Sequence, residues 1–171
     1  YYEDYHDLQM YPALAGAVVP VYNLPALSSD DVLVLSQQVV VDIFSGVIQE
    51  WNASDILALQ STTVASKLQA MDSDAKIISG VVVREDKSGT TEVFKVALNE
   101  FSTDWAQSFN KSGVASYETS SQAVWSTNVT YADGNDGVAA TVAHTESSVG
   151  YVVLGEALTI GMQIAAIGAA N

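Results

Sequence analysis

Hydrophobic positions along this chain fall into short blocks whose period changes from block to block. An apolar run at 13–21, set among Pro12, Pro20 and Pro25, predicts a strand and then a turn at 22–25. Residues 32–35 are short and β-branched, a second strand, and Ser36 is a candidate N-cap for a helix over 37–44 that stops at Ser45-Gly46. Asn52-Ala53-Ser54-Asp55 signals another start, with Asn52 a candidate cap for a short helix at 56–59. Residues 61–74 are polar, rich in small side chains and weakly patterned, so they read as loop or poor helix. The block at 77–83 is mostly apolar with little alternation, as expected of a central strand covered on both faces.

Helical spacing is clearest at Phe94, Ala97, Leu98 and Phe101, which share one face of a helix over 90–101. Trp105 and Phe109 extend that packing into another short helix. Residues 110–130 are rich in Ser, Thr and Gly and read as a surface excursion. A turn at 133–137 leads into a helix over 138–144, and Ser147-Ser148 precede a strand at 149–153. The long apolar run at 149–170 holds Glu156 and several glycines, and no basic anchor flanks it. It therefore predicts strand, short helix and strand, not a membrane span. With no internal repeat or linker, residues 1–171 read as a single α/β domain with a mixed central sheet flanked by helices.

Charge narrows the possible partners. The 171 residues carry 20 acidic against 6 basic side chains, a formal net charge of −14. That balance argues against nucleic acid, which needs clustered Lys and Arg, and against anionic membrane surfaces. There is no cysteine, hence no disulfide framework and no thiolate metal site. No basic-then-apolar leader opens the sequence, and Tyr1-Tyr2-Glu3-Asp4 reads as a cut or mid-protein start.

Candidate chemistry concentrates at Arg84, the one arginine of the chain. The preceding strand delivers it to a sheet edge where α/β folds bind ligands. Ser88-Gly89-Thr90-Thr91 then opens a helix whose first amides lack intrahelical partners, a setting that favours an anion. Gly89 lets backbone approach a ligand closely, and Arg84 can offer a forked donor to a tetrahedral oxyanion. Taken singly, a Ser-Gly-Thr before a helix is an ordinary cap and a lone Arg an ordinary ion-pair partner.

The run Arg84-Glu85-Asp86-Lys87-Ser88-Gly89-Thr90 resembles the R-x-D-x-S-G-T signature of the phosphate-binding proteins that feed ABC phosphate importers. LAGAVVPVYNLP (14–25) looks like that family's hinge and the first strand of its second lobe. LSQQVVVDIFSGVIQEW (35–51), GNDGVAATV (134–142) and SVGYVV (148–153) are similar, in order and spacing, to further family segments. The resemblance covers roughly residues 8–168 and implies one lobe of a periplasmic-binding-protein-like clamp, the second, with the first lobe absent from this chain. It implies phosphate contacts from Arg84, Ser88, Gly89 and Thr90, with Thr91 supporting and Asp86 orienting Arg84. Lys87 stands where the family has a small residue. The implied role is non-enzymatic and extracytoplasmic (periplasmic, cell-surface or secreted), without cofactor or metal. Expected partners are phosphate or a similar oxyanion, a complementary first lobe or neighbouring subunit, and an ABC importer membrane component. The alternative is a structural or interaction module of a larger extracellular assembly that has lost phosphate binding.

Three N-x-[S/T] sequons, at Asn52, Asn110 and Asn128, are glycosylation candidates if the host is eukaryotic. His6 and His144 are the only histidines, and with no nucleophile-elbow motif a Ser88–His144 triad is a poor reading. Asp30-Asp31 lacks calcium-loop spacing and reads as a solvated turn. Trp51, Trp105 and Trp125 read as packing.

Overall fold

A computed structural model describes residues 15–105, 125 and 128–168. An interior strand of its sheet is β3 (Gly80–Arg84), whose five residues are all buried. Period-2 alternation sends Val81 and Val83 to one face and Val82 to the other, so both faces need cover. On the first face lie α1 (Gln37–Ser45) and α5 (Gly89–Phe101), through Val40, Phe44, Phe94 and Leu98. On the second lie α6 (Gly134–His144) and α7 (Leu154–Ile160), through Val138, Val142 and Ala157.

Strand β3 pairs in parallel with β4 (Val129–Ala132) on one side and β5 (Ser148–Val153) on the other. Beyond β5 come β1 (Val18–Tyr22) and β6 (Gln163–Ile164), both antiparallel to their neighbours, giving the order β4-β3-β5-β1-β6. A separate two-strand ladder joins β2 (Val34–Ser36) in parallel to β7 (Ala166–Gly168). The expected mixed sheet flanked by helices is thus what the chain forms. Pro20 sits inside β1 where its missing N–H costs nothing. The short β6 ladder spans only Val21 and Tyr22, and Pro20 contributes its carbonyl alone, to the Ala165 amide.

Local chemistry sets the boundaries. Ser36 caps α1, its Oγ accepting from the Val39 amide, and Gly46 closes it at φ 79°. Four expectations are corrected. Residues 61–74 hold a true helix, α3 (Thr62–Ala70), capped by Ser61 and followed by the single turn α4 (Ser73–Lys76); Val64 and Leu68, one turn apart, supply its buried face. Asn52 is not a cap: Ala53 occupies that position before α2 (Ser54–Leu57), with no side-chain hydrogen bond. Strand β4 begins at Val129, inside the stretch read as a surface excursion, and Trp125 there is buried. Helix α6 starts at Gly134, not after the glycines. His6, Phe109 and Asn110 lie outside the described residues.

Gly150 shows how tightly α6 seats on the sheet. A methyl group there would lie 3.0 Å from both Val138 Cγ1 and Val142 Cγ2, and 3.1 Å from the Val82 carbonyl. Glycine is therefore what allows α6 to lie flat against β3 and β5.

Candidate functional site

Because β3 runs parallel to both neighbours, its carboxyl end opens beside two strand ends and two helix N-termini. Arg84 is the last residue of β3 and is buried, 7% exposed. A buried guanidinium needs a partner. Asp86, two residues on, supplies it: Oδ1 accepts from Arg84 Nε at 2.6 Å and Oδ2 from Nη2 at 2.5 Å. This fork holds the Asp86 carboxyl well below its ordinary range, at about 2, and pushes the Arg84 guanidinium further up. Asp86 Oδ1 also accepts from the Gly134 amide at 3.2 Å, tying the turn to the start of α6. Backbone adds a second tie, from the Glu85 amide to the Ala132 carbonyl at 2.9 Å.

Helix α5 begins one residue after Ser88, whose extended backbone and Oγ make the N-cap, accepting from the Thr91 amide at 3.3 Å. The first intrahelical bond closes from the Glu92 amide to the Ser88 carbonyl. Gly89 and Thr90, at the first two helical positions, thus present amides that have no intrahelical acceptor. Ser88 and Thr91 are buried, Thr90 is half-buried, and Gly89 and Lys87 are exposed. With Asp86 occupying Nε and one hydrogen of Nη2, Arg84 keeps the rest of its donor fork. The turn therefore gathers guanidinium, hydroxyl and amide donors at one helix end. Such a set suits a tetrahedral oxyanion: hydrogen bonds and the helix dipole reinforce the positive charge.

Tyr151 was not foreseen as part of this region. It stands on β5 beside Val83, fully buried, with its ring stacked on Phe94 at 4.3 Å between centroids and 14° between planes. Its hydroxyl accepts from the Arg84 amide at 3.3 Å and lies 2.7 Å from Thr91 Oγ1. Burial pushes the Tyr151 hydroxyl pKa up. The sequence signal for it is faint, a single aromatic in an otherwise apolar strand. One turn below Thr91, Lys95 is buried with Nζ 5.4 Å from the centre of the Trp125 ring, and burial lowers its pKa.

Other candidates fall elsewhere. His144 ends α6, at the sheet edge where β5 begins, and Ser88 lies beyond the edge where β3 ends, so the two are not brought together. Asp31 is tied into a Ser28 turn and bridges to Lys67 of α3 at 2.5 Å, which holds its carboxyl at about 2. Trp51 is core, its Nε1 donating to the Ser147 carbonyl at 3.0 Å. Asn128 is exposed, yet its Nδ2 donates to the carbonyls of Ile78 (3.0 Å) and Ser79 (2.7 Å). A glycan on that nitrogen would displace at least one of these bonds. Asn52 is half-buried and its Oδ1 makes no hydrogen bond. Among the described residues, no cluster of acidic, His or Cys side chains could hold a metal ion, and no helix is long and apolar enough to cross a membrane.

Comparison with known proteins gives concordant findings. A family described as a PBP superfamily domain matches residues 4–170. The phosphate-binding protein PstS of Haemophilus influenzae is 32% identical over 147 residues, which is 86% of this chain and 38% of that protein. Among solved structures, a phosphate-binding protein from Stenotrophomonas maltophilia superposes with a TM-score of 0.57 at 22% identity, over 91% of this chain and 40% of that one. An ABC-type phosphate transport receptor from Vibrio cholerae gives a TM-score of 0.52 at 19% identity, over 90% and 46%. The chain thus spans less than half the length of each of these proteins.

Proposed function

The chain belongs to the PBP superfamily, and from that premise we propose that it is a non-enzymatic, extracytoplasmic binding lobe for phosphate or a similar tetrahedral oxyanion. The observation that carries the reading is the turn from Arg84 to Thr91. There a buried guanidinium, held by Asp86, lies in the same turn as the unengaged first amides of a 13-residue helix. Arg84, Ser88, Gly89 and Thr90 contact the anion; Asp86 and Thr91 support them. The names of the Haemophilus and Stenotrophomonas relatives, both phosphate-binding proteins, favour phosphate among oxyanions.

One lobe gives one face of such a site. An anion on that face keeps much of its water, and its attraction to Arg84 is screened. Binding by this chain alone is therefore weak, on the order of millimolar, and tight capture needs a second surface from a complementary lobe or a neighbouring subunit. The net charge of −14 does not prevent this, because dipoles at contact outweigh charges beyond a Debye length. A downstream partner is the membrane component of an ABC importer, by likeness to the Vibrio transport receptor.

Titrating inorganic phosphate into the isotope-labelled chain tests this directly. The Gly89 and Thr90 amide resonances should move, and Arg84→Ala should weaken the response about tenfold or more. Unmoved resonances, or an Arg84→Ala titration identical to wild type, would remove the assignment.

A further inference from the structure

We infer that Tyr151 is a positioning residue for the anion site, its hydroxyl fixing Arg84 at a set distance from the first turn of α5. The inference rests on the phosphate reading above. It starts from what a tyrosine adds to this place. Phenylalanine would fill nearly the same volume and stack on Phe94 equally well; what tyrosine adds to the aromatic cluster with Phe44 and Trp125 is the hydroxyl. A hydroxyl so buried must be matched by partners.

Its two partners are the two halves of the site. The paired register between β3 and β5 ends at Val82↔Gly150, and beyond it the Arg84 amide turns to Tyr151 Oη. That oxygen also meets Thr91 Oγ1, and the Thr91 amide in turn donates to Ser88 Oγ. One continuous hydrogen-bonded path therefore runs from the backbone of Arg84, through Tyr151 and Thr91, to the hydroxyl of Ser88. Ser88 Oγ is fixed as an acceptor for Thr91, which leaves its own hydrogen for another acceptor. Asp86 holds the Arg84 side chain, and Tyr151 holds the Arg84 backbone. Without the second tie, Arg84 and the helix end could drift apart while each kept its local geometry, and an anion spanning both would lose one set of contacts.

Tyr151→Phe removes the hydroxyl and keeps the ring, and Thr91→Val removes the other end of the tie. In phosphate titrations under conditions where every variant is fully folded, each should weaken the Gly89 and Thr90 response about tenfold, as expected for one lost buried hydrogen bond. The double variant should be no weaker than either single one, and Thr91→Ser should restore binding. Amide exchange at Arg84, compared with Val82 in the middle of β3, should quicken selectively in Tyr151→Phe. A purely structural tyrosine would lower the melting temperature and leave phosphate affinity unchanged; that result, or additive losses in the double variant, overturns the inference. If wild type responds to phosphate and Arg84→Ala does not, while Tyr151→Phe matches wild type, only the positioning role falls. If wild type does not respond at all, the reading of the site falls and this inference with it.

Discussion

Two strand-to-helix turns lie side by side at one edge of the sheet, and they differ in how charge is set on the helix that follows. In the β3–α5 turn, Ser88 caps the helix and the next two positions are Gly89 and Thr90, uncharged donors. In the β4–α6 turn, the cap position is Asp133, whose side chain makes no cap bond, and Asp136 follows three residues later. There Gly134 already gives its amide to Asp86. Both helices end their dipoles at the same edge, but α6 has Asp133 at its cap, Asp136 in its first turn and Asp86 on its first amide, whereas α5 has Glu92 alone in its first turn and Arg84 ahead of it. A helix N-terminus is thus not a site by itself; the charge already stationed on it decides whether an anion gains anything there. Asp86 links the two turns by serving both, orienting Arg84 on one side and occupying the α6 amide on the other.

The largest effect on this contrast should come from Asp86→Asn. The substitution keeps the shape but removes the charge that Arg84 and Gly134 both face. Losing charge-assisted hydrogen bonds to a buried guanidinium should cost about 1.5–3 kcal/mol in chemical denaturation at neutral pH. The pH dependence follows from sign. The folded carboxyl titrates at about 2, below its ordinary value of 3.8, so its ionic contribution is present above that ordinary value and is lost as pH falls toward 2. Solvent around Asp86 screens this part to about 1 kcal/mol. Wild type and Asp86→Asn should therefore converge in acid, and parallel stability curves down to pH 2 would contradict the assigned role.

Two glycine substitutions at equivalent helix positions sharpen the contrast. Gly134 has φ +71°, and a methyl group there would sit 2.3 Å from Asp136 Oδ1, so Gly134→Ala should cost about 1–2 kcal/mol of stability. At Gly89 a methyl group meets no protein atom within 4 Å, so Gly89→Ala should leave the melting temperature unchanged or slightly raised. Its cost should appear only in phosphate titration, because the added methyl occupies the approach to the exposed amide. Equal stability losses in both variants would erase the distinction between the two turns.

How much of this could be read beforehand depended on where the determining contacts lie. Ser36, Gly46 and Ser88 were legible because a cap acts on backbone within a few residues, and β3 was legible because burial on two faces leaves a continuous apolar run. Strand β4 was not: only Ala132 of its four residues is buried, and its pairing is dictated by β3, far away in sequence. Helix α3 was legible only as loop or poor helix, because a two-residue apolar face, Val64 and Leu68, gives almost no periodic signal. In the candidate site, the Arg84 to Thr91 segment was visible because it is contiguous, and Asp86 was assigned as Arg84's partner by family likeness. Tyr151 and the Gly134 amide were invisible, since they reach the site only through strand pairing and the seating of α6.

The smallest effect, and the sharpest question, belongs to Asp133→Ser. It would give α6 the kind of hydroxyl cap that α5 has, and remove one of the carboxylates at its start. A serine cap that formed should stabilise by about 0.5–1 kcal/mol at most, read as a small rise in denaturation midpoint. If a cap and one fewer charge were enough to make an anion site, the Gly134 and Asn135 amides should begin to respond to phosphate. The geometry predicts that they do not: Asp86 still holds the Gly134 amide, and Asp136 still stands in the first turn. A phosphate response at Gly134 in this variant would mean that the cap and the charge at position 133 are what distinguish the two helix ends.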